Sequence, residues 1–307
     1  MRHAAIIVAK NEERFIGRCL RSLRAQTAPP DRVYVVDDGS TDGTADVVAA
    51  MAAEWPALRL VQRPAGIPRT HDDGVVPAFR AAYDRLRDEE VQYVSRLDAD
   101  IEFQPDYFQR LLDHLDAHPD WGMAGGVPYE EAGGEVRGWR MPAHHVPGAL
   151  KTMRRDVFDR IGGFTPTYSW DIVDGVAMRA LGYRTGWLPL RVEHLRPHGS
   201  YEGVLRGRVK WGEGAWTIGS HPLYALARGA YLMRHNRPYV LAGAAFWWGY
   251  LRAALRRTPR IADAALTRAL RREQLDRLLR WKRRATSMSA YSDTASPGPG
   301  AVLSRHA

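Results

Sequence analysis

Three acidic groups carry most of the chemistry that this chain's residue types allow. Asp37 and Asp38 are adjacent, Asp98 and Asp100 stand with one residue between them, and Asp171 precedes Asp174 by a single helical turn. Two carboxylates spaced in this D-x-D manner where a strand stops present their oxygens to a hard divalent cation. Such an ion keeps several waters and takes further oxygens from a bound diphosphate. Asp38 can accept hydrogen bonds from a base or a ribose. A turn with solvated carboxylates produces each pattern singly; their joint placement at strand ends points to one site.

An open sheet would gather them, because ligands of open α/β sheets bind at the carboxyl ends of the strands. Ala4 to Ala9 is a short apolar run with β-branched Ile6, Ile7 and Val8, the pattern of a strand buried on both faces. Phe15, Ile16, Cys19, Leu20 and Leu23 then recur at helical spacing as far as Pro29-Pro30. Residues 32–37 predict a second strand, 44–54 a helix, 58–62 a third strand, 75–86 a helix, and 93–97 a fourth strand ending at Asp98-Ala99-Asp100. This alternation predicts right-handed βαβ units in an α/β fold, a Rossmann-like, mostly parallel sheet flanked by helices. Further on, 123–127 reads as a strand and 129–147 as a Gly-rich polar excursion. Helices over 155–161 and 171–181 stop at Gly162-Gly163 and Gly182, and 186–192 reads as a strand.

The 307 residues, 45% hydrophobic and 26% charged, exclude wholesale disorder and a collagen-like or disulfide-rich build. Cys19 is the sole cysteine, so neither an internal disulfide nor a cysteine-based zinc cluster can form. The charge is uneven: residues 201–307 carry 19 Lys and Arg against 6 Asp and Glu, whereas the first 200 are net acidic. The apolar run after Met1-Arg2-His3 is too short for a signal-peptide core, and cytoplasmic residence is the expectation.

Ile7-Val-Ala-Lys-Asn-Glu-Glu, Val35-Val-Asp-Asp-Gly-Ser-Thr-Asp-Gly-Thr44 and Leu97-Asp-Ala-Asp100 resemble, in order and spacing, the nucleotide-sugar half of family 2 glycosyltransferases, enzymes of GT-A fold. Gly148 to Phe164 is similar to the acceptor-side stretch of the same family, so the resemblance covers roughly residues 3–200. It implies an inverting transfer of a sugar from a nucleotide-diphosphate sugar to a hydroxyl acceptor. Val8, Asn11, Glu12, Asp38, Arg69 and Asp98 would bind the donor, and Asp98 and Asp100 would hold Mg2+ or Mn2+. His194 resembles a histidine found near the metal in some relatives; a merely structural histidine is the alternative. In that family an acidic pair precedes a helix ending in Gly-Tyr-Arg. Counting back from Gly182-Tyr183-Arg184 puts Trp170-Asp171 at the pair, so Asp171 inherits the role of catalytic base, with Asp174 as the fallback. Arg208-Val-Lys-Trp211 matches the Gln-x-x-Arg-Trp of processive members poorly, which argues against a polymer-extending synthase.

The resemblance implies a GT-A catalytic domain over 1–200, with a nucleotide-sugar half (1–122) and an acceptor half (123–200). A helical basic extension follows over 201–284, and a Ser-, Ala-, Pro- and Gly-rich tail over 285–307 reads as disordered. Within the extension, Tyr239 to Leu251 is almost unbroken apolar sequence, too short to span a bilayer and flanked by Arg252, Arg256 and Arg257. The next stretch, 260–284, reads as a helix with Leu266, Leu270, Leu275, Leu278 and Leu279 on its apolar side. Aromatic apolar sequence bordered by arginine fits peripheral contact with the anionic inner face of the cell membrane and a lipid-linked acceptor; a helix pair packed on the catalytic half is the alternative. Nucleic acid is disfavoured, since no helix-turn-helix, zinc-finger or RNA-recognition pattern is present. A sugar nucleotidyltransferase or a dinucleotide dehydrogenase needs a Gly-rich loop after the first strand, and Ala9-Lys-Asn-Glu12 holds no glycine. A non-catalytic lipid- or RNA-binding protein on a degenerate transferase fold, or a polyprenyl-phosphate glycosyltransferase, remain the rivals.

Overall fold

The structure is a computed structural model that describes residues 2–64, 74–132, 134–196 and 203–279. Arg69 and the 285–307 tail lie outside these residues. Strand β1 (His3–Ala9) is buried along its whole length, as a central strand must be. It pairs in parallel with β2 (Arg32–Asp37) and β4 (Tyr93–Asp98), while β3 (Leu58–Gln62) extends β2 at the edge. Side chains alternate across the sheet. Ala5, Ile7 and Ala9 join one core layer with α1 (Glu13–Arg24) and α4 (Tyr107–Ala117). Ala4, Ile6 and Val8 join the opposite layer with α3 (Val75–Tyr83) and α5 (Arg155–Arg160). The helix predicted over 44–54 is α2 (Thr44–Glu54). The one predicted over 75–86 divides into α3 and a 3-10 turn at Asp84–Leu86.

Beyond β4 the sheet turns antiparallel. β8 (Leu150–Arg154) pairs antiparallel with β4 and with β6 (Trp121–Ala132), and β9 (Arg184–His194) runs parallel to β6. β5 (Ile101–Phe103) closes the far edge against β9, giving the order β3-β2-β1-β4-β8-β6-β9-β5. β6 is longer than 123–127, and part of the 129–147 excursion is strand: β7 (Glu135–Gly138) pairs with residues 129–132. Polar and glycine residues fill this hairpin, so no apolar alternation marks it in the sequence.

Four helices follow: α7 (Val204–Thr217), α8 (Pro222–His235), α9 (Val240–Leu255) and α10 (Ala264–Leu279). Leu270 of α10 packs on Val173 and Val176 of α6 (Trp170–Ala180), and Arg179 of α6 clasps Glu273 through two hydrogen bonds of 2.8 and 2.9 Å. α10 departs from the predicted leucine face. Gln274 is buried because it hydrogen-bonds His221 N and Ser220 Oγ in the turn before α8, while Leu279 is 82% exposed. α7 and α9 cross at backbone contact: a Cβ on Gly249 would lie 1.9 Å from the Val209 carbonyl oxygen.

Candidate active site

The carboxyl ends of β1, β2 and β4 meet at one edge of the parallel sheet, and the acidic residues lie there. Val8 is in register with Asp98 across β1 and β4, and Asp38 N–H donates to Ala9 O at 2.9 Å. The turn after β2 depends on Gly39, whose φ of 73° favours glycine. Asp37 accepts from Ser40 N at 3.0 Å and so braces the turn, whereas the buried Asp38 carboxylate pairs with Arg63. Asn11 ties the β1–α1 loop to the same turn by accepting from Thr41 N at 2.8 Å.

The D-x-D pair splits in environment. Asp98 is half-buried and Asp100 buried, because β5 begins one residue later and draws the chain to β9. Ile101 is in register with His194, the last residue of β9, so this edge pairing delivers the imidazole to Asp100. Ligand atoms of Asp98, Asp100 and His194 all lie within 4.8 Å of one another, and His194 Nδ1 is a buried nitrogen without a hydrogen-bond partner among the described residues. Two carboxylates and an imidazole form a donor set that Mg2+ or Mn2+ accepts, the nitrogen suiting Mn2+ better.

Arginines that the sequence motifs do not announce hold these acids. Arg96 Nη1 lies 2.6 Å from Asp98 Oδ1 and 2.7 Å from Gly148 O. Arg196 reaches Asp100 Oδ2 through Nε (3.0 Å) and Nη2 (2.7 Å), and Glu12 Oε1 through Nη2 (2.6 Å). Burial pushes the Glu12 carboxyl up despite that partner. A signal for Arg96 was available, since a cation two residues before D-x-D sits on the same side of the strand; for Arg63 and Arg196 there was none.

Asp171 and Asp174 face different surroundings on α6. Asp174 is 1% exposed and is gripped by Lys151 Nζ at 2.8 and 2.9 Å, with burial pushing its carboxyl up against the pull of the lysine. Lys151, also 1% exposed, donates in addition to Asp171 O at 2.9 Å. A lone lysine inside the apolar strand Leu150-Lys-Thr-Met was a legible sign of such a buried pair. Asp171 is half-buried and lies beside Gly148. Trp170, standing where an acidic residue is usual, supports two cations: Arg96 is 5.1 Å and Lys151 5.6 Å from its ring centroid. Trp170 thus connects α6 to the Asp98 carboxylate through Arg96.

A parallel first half, a mixed second half and an acidic cluster at the switch between them define a GT-A fold. The chain belongs to glycosyl transferase family 2, whose family model matches residues 4–171. Among solved structures it resembles a Pyrobaculum calidifontis mannosyltransferase in complex with GDP-Man and Mn2+, with TM-score 0.54 and 22% identity over 94% of this chain and 84% of that one. S. aureus TarS residues 1–349 in complex with UDP-GlcNAc gives a TM-score of 0.52 at 17% identity, covering 82% of this chain and 72% of that one. Among curated relatives it is 34% identical to polyprenol monophosphomannose synthase of Mycolicibacterium smegmatis over 152 residues, 43% of this chain and 54% of that protein. It is 31% identical to beta-monoglucosyldiacylglycerol synthase of Synechocystis over 119 residues, 38% of this chain and 23% of that protein. The matches span little more than half the length of these relatives at most.

Proposed function

We propose that this protein transfers a sugar from a nucleotide-diphosphate sugar to a hydroxyl acceptor with inversion at the anomeric carbon. The observation that carries this reading is the convergence of Asp98, Asp100 and His194 within 4.8 Å at the strand ends beside Asp38. Asp38 binds the nucleoside, with Val8, Asn11 and Glu12 shaping the pocket floor. Asp98, Asp100 and His194 would hold Mg2+ or Mn2+, which supplies neutralising charge to the departing diphosphate. Asp171 takes the acceptor proton as the acceptor oxygen forms its bond to the anomeric carbon and the bond to the diphosphate oxygen breaks. Asp174, locked to Lys151, serves to fix α6 instead. Thermal-shift titration with UDP-, GDP- and dTDP-sugars, each with and without Mn2+, tests the reading. One donor should stabilise the wild type only with metal, and Asp100→Ala should lose that dependence. A shift in no donor, or a full shift in Asp100→Ala, sinks it.

A phosphate acceptor is the second reading. Relatives named undecaprenyl-phosphate mannosyltransferase and polyprenol monophosphomannose synthase favour it. An acceptor already anionic needs no base, so Asp171→Asn would then keep its turnover.

The extension supports peripheral contact with an anionic membrane. No helix among the described residues is long and apolar enough to cross one. Yet α9 exposes Leu241, Ala244, Trp248, Leu251 and Leu255, spaced three and four apart along one face. Trp248 is 57% and Leu255 80% exposed, and Arg256 and Arg257 border them. Apolar side chains in the interface with arginines at the headgroups hold a protein on such a surface without a spanning helix. A lipid-linked acceptor follows from the same placement.

A further inference from the structure

At the C-terminal end of α9, α7 and the segment entering α6 enclose a cavity of about 550 Å³ that the sugar-transfer chemistry does not use. Its charged lining is Arg252, Arg256, Arg260 and Glu213, with hydroxyls from Thr165 and Thr258; the Thr217 hydroxyl, also in the lining, already donates to Gly214 O at 2.9 Å. Arg252 is spent on Glu213, to which its Nε donates at 2.7 Å. Arg256 and Arg260 have no carboxylate partner among the described residues. Arg260 is nevertheless fixed: its guanidinium carbon lies 3.6 Å from the Trp216 ring centroid. Trp216 is itself anchored by its Nε1–H to Thr258 O at 2.9 Å and by edge contact with Tyr250. A guanidinium stacked on an indole keeps its in-plane N–H donors free and loses little freedom when an oxyanion docks.

We infer that this cavity binds the phosphoryl headgroup of an anionic membrane lipid. A phosphoryl group accepts bidentate donors from arginine and single hydrogen bonds from threonine hydroxyls, which is the chemistry of this lining. The lipid source is favoured by position. Arg256 directly follows Leu255, the last residue of α9 and of its exposed apolar face, so a headgroup in the cavity leaves its acyl chains against that face. The inference rests on the membrane reading of the extension and deepens it by assigning the headgroup site.

Calorimetric titration of the full chain with dihexanoyl phosphatidic acid and with inorganic phosphate separates lipid from free phosphate. The lipid should bind at least about tenfold tighter than phosphate, and R256Q/R260Q should lose about tenfold or more of that affinity, the scale of charged hydrogen bonds. R24Q/R110Q, with the same charge change on the catalytic half, should not. Equal binding of lipid and phosphate, or equal affinity in R256Q/R260Q and wild type, overturns the assignment. If R256Q/R260Q does not fold, R260K keeps the charge but loses the stacked fork, and an unchanged affinity there is equally fatal. Flotation with phosphatidylcholine vesicles bearing phosphatidic acid distinguishes the two levels. Vesicle binding that survives R256Q/R260Q in full leaves the membrane reading standing and removes the site; Arg260-dependent binding of the short-chain lipid without vesicle binding keeps the site and removes the membrane reading.

Discussion

The donor edge and the C-terminal extension handle charge in opposite ways. At the donor edge Asp38, Asp98 and Asp100 each meet an arginine of the same chain, namely Arg63, Arg96 and Arg196, and most of these groups lie below the surface. In the extension Arg256, Arg260 and the apolar face of α9 are exposed and meet no carboxylate among the described residues. Buried carboxylates are costly unless paired, so this acidic cluster carries its own internal counterions. Exposed arginines beside exposed leucines cost the fold little. The first region balances its charge within the fold, and the second leaves it at the surface.

The largest predicted effect tests whether the two carboxylates of α6 divide in the same manner. Asp171→Asn should lower turnover by ~10² to 10⁴ while leaving donor affinity intact, the scale of a lost general base. Asp174→Asn should instead cost stability, about 3 to 5 kcal/mol in urea unfolding, because it strands Lys151 as an unpaired buried cation. A stable Asp174→Asn protein without turnover, beside an active Asp171→Asn protein, would reverse the two roles.

Next in size is the contrast between Trp247 and Trp248. Trp247 is wedged against Gly229 of α8 and donates to Ala225 O at 3.2 Å, whereas Trp248 faces solvent. Trp247→Ala should destabilise the protein by about 3 kcal/mol. Trp248→Ala should leave the unfolding midpoint unchanged and weaken flotation with anionic vesicles. If both behave like Trp247, the extension is a packed helical appendage and the comparison between the regions fails.

A smaller effect comes from two desolvated histidines, one on β1 and one in the segment before β8. Burial pushes the His3 imidazole down to about 3, where it shares a 2.7 Å hydrogen bond with Ser95 Oγ, and pushes His145 down to about 4. Both stay neutral when folded, while the unfolded chain takes up protons below about 6.5. The unfolded state binds more protons in that window, so the stabilisation is complete above about pH 6.5 and declines as pH falls toward 4. Between pH 7 and 5 the loss should be on the order of 2 kcal/mol per histidine. Urea midpoints at the two pH values measure it, and His145→Asn should flatten the slope.

Much of this was legible in the chain. The strands over 32–37 and 58–62 and the helix over 44–54 appear where their residues predict, because short βαβ units carry their own periodicity. The convergence of Asp98, Asp100 and His194 was legible as residue types; its cause, the pairing of three-residue β5 with β9, was not, since so short a strand has no period to read. Arg196 and Arg63 were hidden for a different reason. Their partners lie far away in sequence, and an arginine after a strand looks like any solvated one. In the extension, the apolar run of α9 announced a helix but not which of its faces the fold would cover.

Arg196 supplies the finest test of the donor edge. Its guanidinium donates from Nε to Asp100 Oδ2 and from Nη2 to Glu12 Oε1, with Nη2 also 2.7 Å from Asp100 Oδ2, so a divalent ion would meet a carboxylate whose charge is already countered. An ion approaching Asp98, Asp100 and His194 competes with a resident cation, and its apparent affinity carries the cost of separating that pair. Arg196→Gln keeps most of the side chain's bulk and removes the charge. Mn2+ binding in the absence of donor, read by paramagnetic resonance of the free ion, should therefore tighten by about tenfold, the scale of one charged hydrogen-bonded contact. Glu12 loses its partner in the same variant, and because burial already raises its carboxyl it can take up a proton in place of that partner. Arg196→Gln combined with Glu12→Gln should keep the tightening if competition at Asp100 is its source. Unchanged or weaker Mn2+ binding in both variants would make Arg196 a brace for the end of β9, and the donor edge would then lack the exchangeable counterion that sets it apart from the extension.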